Sequence, residues 1–299
     1  MCSSDLIDNG NDGILARLFA ANGTPLTNEF VVNTYLPSVQ FNSSVSMAQD
    51  GRFVIAWEGN GSEDNQGIYA QRYDMLGNAL GSQIFVNGSA PGSQRNPTVS
   101  MNSSGEFIVA WDDSNSFHYQ RFDGNGQKRD SSGNPAAEVI VSNVGTARQG
   151  DILLNHDGTV VSTWQEFDGT NWDVYFRKDA VNGTPLISKT LVLDNPVSNQ
   201  QAPSIDGSGS GEFIITWEGR EPGDLDGGIF YRLYNSSGLA TPYTLLANSN
   251  YTAGPQARGS VASQGLNNYV VVWSGQSAND SADIGHNNVL DRKSTRLNS

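Results

Sequence analysis

Five short apolar runs, each ending in tryptophan, recur along the chain: Phe53 to Trp57, Phe107 to Trp111, Val160 to Trp164, Phe213 to Trp217 and Tyr269 to Trp273. The tryptophans stand 54, 53, 53 and 56 residues apart. A second line keeps the same period, with an arginine in mid-run beside aromatic or apolar neighbours at Arg17, Arg72, Arg121, Arg177 and Arg232. Two independent markers on one period define a tandem repeat, and such self-similarity outranks any local signal. Each period holds four strand-length runs; in the second they are Ile68 to Asp74, Gln83 to Asn87, Thr98 to Met101 and Phe107 to Asp112. Asp74 to Gly77 and Ser103 to Gly105 carry tight-turn chemistry, with glycine supplying positive φ and Asp or Ser capping the bend. No window sustains a helical period.

Four short antiparallel strands per repeat is the pattern of a propeller blade. A string of sandwich domains needs about seven strands and 100 residues per unit, and a β-helix coil is much shorter than this repeat. The tryptophan run is almost continuously apolar, as a sheet buried on both faces requires. The predicted fold class is therefore all-β: a β-propeller of about five four-stranded blades, read as a fragment of a larger propeller. Repeat limits drawn after each tryptophan line fall at 7–58, 59–112, 113–165, 166–218 and 219–274, with a sixth repeat beginning at Ile284.

The two ends read differently from the rest. Cys2 to Asp5 and Asp291 to Thr295 can be encoded by reverse-complementary DNA, which is not expected of a natural gene, and both resemble translated sequencing adapters, as in a metagenomic fragment. Residues 1–6 and 291–299 are set aside on that ground. Asp8 to Gly13 reads as a loop leaving an earlier repeat.

Without Asp5, Asp291, Arg292, Lys293 and Arg296 the net charge moves from −14 to −15, and the lone cysteine goes too. An acidic chain lacks the Lys and Arg that displace counterions from a polyanion, so no nucleic-acid partner is expected. No stretch approaches the roughly 18 apolar residues of a membrane-spanning helix, so no membrane insertion is expected of this segment. A cysteine-free core offers no disulfide framework, thiol nucleophile or Cys-based metal site.

The residues from Gly67 to Gly77, then Phe85 to Asn87, Pro97 to Ser100 and Gly105 to Trp111, resemble a repeat of very large secreted or surface bacterial proteins. The likeness covers nearly the whole chain and is weakest in the third repeat, where the proline line becomes Gly150 to Leu153. It implies an extracellular or cell-surface setting and a non-catalytic module for adhesion or for protein or carbohydrate interaction, with no enzyme activity attached.

The chemistry-bearing residues leave three readings. Trp57, Trp111, Trp164, Trp217 and Trp273 end apolar runs at fixed positions and are expected in the core rather than on a sugar platform. Trp172, outside that register, is the candidate ligand contact. The five repeated arginines are expected to satisfy turn carbonyls and stack on aromatic neighbours, because a site that grips an acidic ligand draws different residues from different blades. The acidic loops after each tryptophan supply weak calcium candidates, Asp64, Asp112, Asp113, Glu218, Asp224 and Asp226, but without EF-hand spacing; calcium is the one cofactor considered. Ser46 to Trp57 only loosely resembles the sialidase box, and His118, His156 and His286 share no register. A propeller glycoside hydrolase, in which paired carboxylates meet, and a calcium-stabilised structural array are the alternatives to the binding module. A glycosidase would show itself as a carboxylate cluster that breaks the repeat symmetry.

Overall fold

Alternation of β-branched and aromatic residues with Asp-, Asn- and Gly-bearing turns leaves the backbone little choice but short antiparallel strands. The computed structural model describes residues 13–36, 39–88, 92–114, 116–129, 137–193, 198–220, 227–249, 254, 256–264 and 268–275, and the backbone of 288–295. Among them there is no helix. The chain divides into two compact units, Met1–Gly145 and Thr146–Ser299.

In the first unit β1 (Leu15–Ala16) pairs with β2 (Phe30–Val31). Blade one follows as β3 (Gln40–Met47), β4 (Phe53–Gly59), β5 (Gly67–Tyr73) and β6 (Ile84–Phe85). Blade two is β7 (Arg95–Met101), β8 (Phe107–Asp112), β9 (Phe117–Phe122) and β10 (Val139–Ser142). The second unit holds blade three, β11 (Arg148–Leu154), β12 (Val160–Phe167), β13 (Trp172–Asp179) and β14 (Pro185–Leu191). Blade four comprises β15 (Gln201–Gly207), β16 (Phe213–Gly219), β17 (Gly228–Tyr234) and β18 (Leu245–Leu246). The last sheet is three-stranded, β19 (Ala257–Ser263), β20 (Asn268–Gly275) and β21 (Asn288–Thr295), and β21 includes residues read above as adapter-derived.

The strands fall where the hydrophobic pattern puts them, but the sheets group them half a period out of phase with repeats cut after each tryptophan. The proline-line strand leads each blade, the tryptophan strand is second and the arginine strand third. Sequence similarity is blind to phase, whereas a sheet is bounded by its longest connection.

Within each unit the leading strands of neighbouring blades lie side by side and are bridged by side chains. Ser44 Oγ and Ser46 Oγ accept from the backbone N–H groups of Val99 and Met101 at 3.2 and 3.0 Å. Asp151 Oδ2 accepts from Ile205 at 3.0 Å, and Asp206 Oδ2 from Ser263 at 2.7 Å. Every leading strand also carries a β-bulge, and in each a non-glycine residue sits at positive φ: Asn42, Asn96, Gln149, Ala202 and Arg258 at 47–57°. That conformation costs about 1–2 kcal/mol. The residue after the tryptophan of the preceding blade offsets it by accepting the strained residue's N–H, as Glu58 does for Asn96, Gln165 for Ala202 at 2.8 Å and Glu218 for Arg258 at 3.0 Å.

All five tryptophans are buried, none more than 4% exposed. Each of the first four faces a ring on the third strand, Trp57 on Tyr69, Trp111 on His118, Trp164 on Tyr175 and Trp217 on Phe230, with centroids 5.7–6.3 Å apart. Such cross-strand pairs add to the stability that burial of these side chains provides.

Candidate functional site

In blades one, four and five the end beyond the tryptophan is capped by one recurring device: a glutamine, Gln40, Gln200 or Gln256, stands at the start of the leading strand or just before it, and a glycine stands two residues after the tryptophan. Blade two keeps the glutamine, Gln94, but has Asp113 in place of the glycine, and blade three replaces both. The glycine is a matter of space. A Cβ on Gly219 would lie 2.0 Å from Gln200 Oε1, and one on Gly275 1.9 Å from Gln256 Oε1. Across the hairpin Gly59 pairs with Gly67 and Gly219 with Gly228. The glutamine serves the core: in blade five Trp273 Nε1 donates to Gln256 Oε1 at 2.9 Å.

In blade three the glutamine position is Ala147, and the glycine pair becomes Glu166 opposite Asp173. The three changes fit together. Loss of the glutamine side chain opens the space that Glu166 fills, and Trp164 Nε1 donates to Glu166 Oε2 at 3.1 Å instead. Lys189, on β14, pairs with Glu166 Oε1 and stands 4.1 Å over the Tyr175 ring. Glu166 thereby meets a cation and an indole N–H, though it is only 4% exposed.

Asp173 lies directly across the hairpin from Glu166. It is 3% exposed, and its Oδ1 has no hydrogen-bond partner. Burial first, and then the negative charges of Asp168 and Glu166, push its carboxyl up to about 6, with Lys189 opposing. Asp168 itself sits in the β12–β13 turn, accepting from the N–H groups of Asn171 and Thr170 at 2.8 and 2.7 Å, which lower its pKa. A buried carboxyl with a raised pKa beside a second carboxyl is an arrangement that acid–base chemistry can use. Buried aspartates also occur on the leading strands, where Asp151 and Asp206 are raised by burial. Both are hydrogen-bonded to the next strand and act as its bridges.

Trp172 lies beside this pair, as the residue before Asp173. It is partly exposed, but its ring is not a free platform: the Arg148 guanidinium lies 3.9 Å from its centroid and Phe167 packs against it at 5.5 Å, while the backbone N–H of Trp172 donates to Asn199 Oδ1 at 2.9 Å. The repeated arginines are spread one to a blade and donate to carbonyls. Arg17 reaches Thr27 O at 3.1 Å, Arg72 reaches Gly124 O at 2.7 Å and Leu80 O at 3.1 Å, Arg177 pairs with Asp179 at 2.6 Å, and Arg232 reaches Val192 O at 2.6 Å. Arg121 is buried in β9.

The calcium candidates are not brought together. Glu218 supports the Arg258 bulge, Asp112 accepts from Asn96 Nδ2 at 2.9 Å, and Asp64 accepts from Gln66 N at 3.0 Å. Asp113 takes Ser116 N at 2.7 Å and lies 3.1 Å from His118 Nε2. Asp224, Asp226 and His286 lie outside the described residues. Among the described residues no three His, Cys, Asp or Glu side chains are grouped to hold a metal ion. His118 stands where other blades have Tyr69, Tyr175 or Phe230, stacked on Trp111 between Asp113 and Glu138. His156 is in a turn of blade three, its N–H donating to Gly209 O.

Sequence reasoning grouped Glu166 with the acidic turns and passed over Asp173 and Lys189. The signal was a missing glycine. Three repeats carry glycine two residues after the tryptophan, at Gly59, Gly219 and Gly275, where the third carries Glu166.

No family model matches the chain, and no curated protein does. Among solved structures, a protein of unknown function from Dyadobacter fermentans aligns at TM-score 0.58 and 9% identity over 91% of this chain and 80% of that one. An endo-arabinase from Bacteroides thetaiotaomicron aligns at 0.48 and 13%, covering 86% of this chain and 94% of that one. The arabinanase Arb43A of Bacillus subtilis aligns at 0.44 and 13%, covering 84% and 93%. The fold is all-β and of the β-propeller type. The expectation of a non-catalytic adhesion module with no enzyme activity is corrected here. It rested on the repeat resemblance, whereas the solved structures over which the chain aligns include an endo-arabinase and an arabinanase.

Proposed function

We propose that the chain is a glycoside hydrolase in which Asp173 is the proton donor and Glu166 the ionised partner, working in an extracellular or cell-surface setting as the repeat resemblance implies. The observation that supports this reading is the carboxyl pair of blade three, set across one β-hairpin at positions where blades one and four carry two glycines. Directly opposed residues on antiparallel strands have Cβ atoms about 4.5–5.5 Å apart. Neighbouring carboxyls on one hairpin are the kind of pair a retaining mechanism uses.

In this scheme Asp173 gives its proton to the glycosidic oxygen as the bond to the anomeric carbon breaks. Glu166 forms the glycosyl ester. Water then attacks the anomeric carbon, Asp173 takes back the water proton, and Glu166 leaves as the carboxylate. Reducing-sugar release from arabinan, xylan and galactan tests the activity, and azide tests the roles. Glu166→Ala abolishes hydrolysis, and added azide, which enters where the carboxylate stood, restores turnover with a glycosyl azide as product. Failure of azide to rescue an otherwise folded Glu166→Ala variant, with the wild type active, removes Glu166 from the nucleophile's role.

A further inference from the structure

A pocket of about 390 Å³ lies wholly within the first unit, where the ends of β4 and β5 meet the start of β7. Phe41, Glu58, Asn60, Asn65, Gln66 and Arg95 are among its lining residues. A matching pocket of about 450 Å³ lies within the second unit, where Gln201, Glu218, Arg220 and Ala257 take the corresponding positions. The pocket is thus built twice, and only the first copy carries an aromatic. Phe41 is 48% exposed at its edge; the other four blades have Arg95, Arg148, Gln201 and Ala257 at that position.

The polar lining has spare hydrogen-bonding capacity. Glu58 is 3% exposed and spends one oxygen on Asn96 N. The side-chain amides of Asn60 and Asn65 make no hydrogen bond to the described residues, and the Arg95 guanidinium makes no ion pair with them. Amides supply donors and acceptors together, a carboxylate supplies acceptors and a guanidinium supplies paired donors. Adjacent hydroxyls on a ring, each both donor and acceptor, are the complement of that set. The opposed charges of Glu58 and Arg95 disfavour a ligand with net charge of either sign. An exposed ring such as Phe41 offers an apolar face to the C–H face of a sugar, and the volume sits at the small end of ligand pockets.

We propose that this pocket is a binding subsite for one ring of a neutral glycan. The proposal is independent of the carboxyl pair in blade three. Full-length Asp173→Asn protein, which does not consume the probe, is titrated with arabinotriose, xylotriose and maltotriose, and with glucuronate as the anionic control. The expected result is binding of at least one neutral trisaccharide, weakened at least about tenfold by Phe41→Ala and by Asn60→Ala. Phe41 is a surface side chain, and an unchanged near-ultraviolet circular dichroism spectrum certifies the fold of each variant. The proposal is overturned if no neutral trisaccharide binds, if both variants bind as the parent does, or if glucuronate binds in preference. Hydrolysis by the wild type with no effect of Phe41→Ala on binding overturns the subsite and leaves the hydrolase reading standing.

Discussion

At the scale of single residues, the chain separates side chains that repeat because the fold needs them from those that differ because something local does. Asp173 is the clearest of the second kind, a carboxyl with one buried, unpartnered oxygen and a pKa pushed from 3.8 to about 6. Because the folded-state pKa lies above the unfolded one, the native state binds the proton more tightly. The native fold therefore bears no penalty below pH 3.8 and bears the full one above about 6, an amount of up to about 3 kcal/mol for a shift of this size. Asp173→Asn removes the charge without removing the shape. Urea denaturation is expected to show the variant more stable than the wild type at pH 8, with the advantage gone at pH 4. Equal stability of the two proteins at both pH values would mean that Asp173 is not held in a desolvated state.

At the scale of the blade, one rule links three positions. In blades four and five the glycine two residues after the tryptophan leaves room for the glutamine before the leading strand, and in blade three alanine at the glutamine position accompanies glutamate. Gly219→Ala is expected to cost about 1–3 kcal/mol through overpacking against Gln200. Adding Gln200→Ala, which copies blade three, is expected to recover part of that loss. A double-mutant cycle measures the coupling, and strict additivity would show that the two side chains do not compete for the same space. The blades themselves were legible in the sequence because turn chemistry and apolar runs are local signals. Their phase was not, since the hydrogen bonds that close a sheet join residues that no local pattern relates. The bulges on the leading strands were hidden for a similar reason: Asn42, Gln149, Ala202 and Arg258 share a backbone conformation and no side-chain chemistry.

At the scale of the whole molecule, the repeat explains the fold, and the break in the repeat points to the function. The five tryptophans are buried, and Arg72 and Arg232 donate to carbonyls of the chain. The expectation of a passive module came from the repeat resemblance, which is carried by framework residues that repeat for reasons of packing. Glu166 and Asp173 lie at positions where the framework carries glycine, and a search for conserved-looking side chains passes over glycine. Lys189 was harder still, because it comes from a fourth strand that in blade three runs seven residues, against two in blades one and four.

The most direct test of the account is the pH dependence of kcat/KM for glycan hydrolysis, measured for the wild type and for Asp173→Asn. With Asp173 as the proton donor, kcat/KM falls as pH rises through about 6, and the variant loses about 10²–10⁴-fold in rate together with that limb of the profile. Undiminished hydrolysis by Asp173→Asn, or a folded wild type that releases no sugar from arabinan, xylan or galactan at any pH, contradicts it.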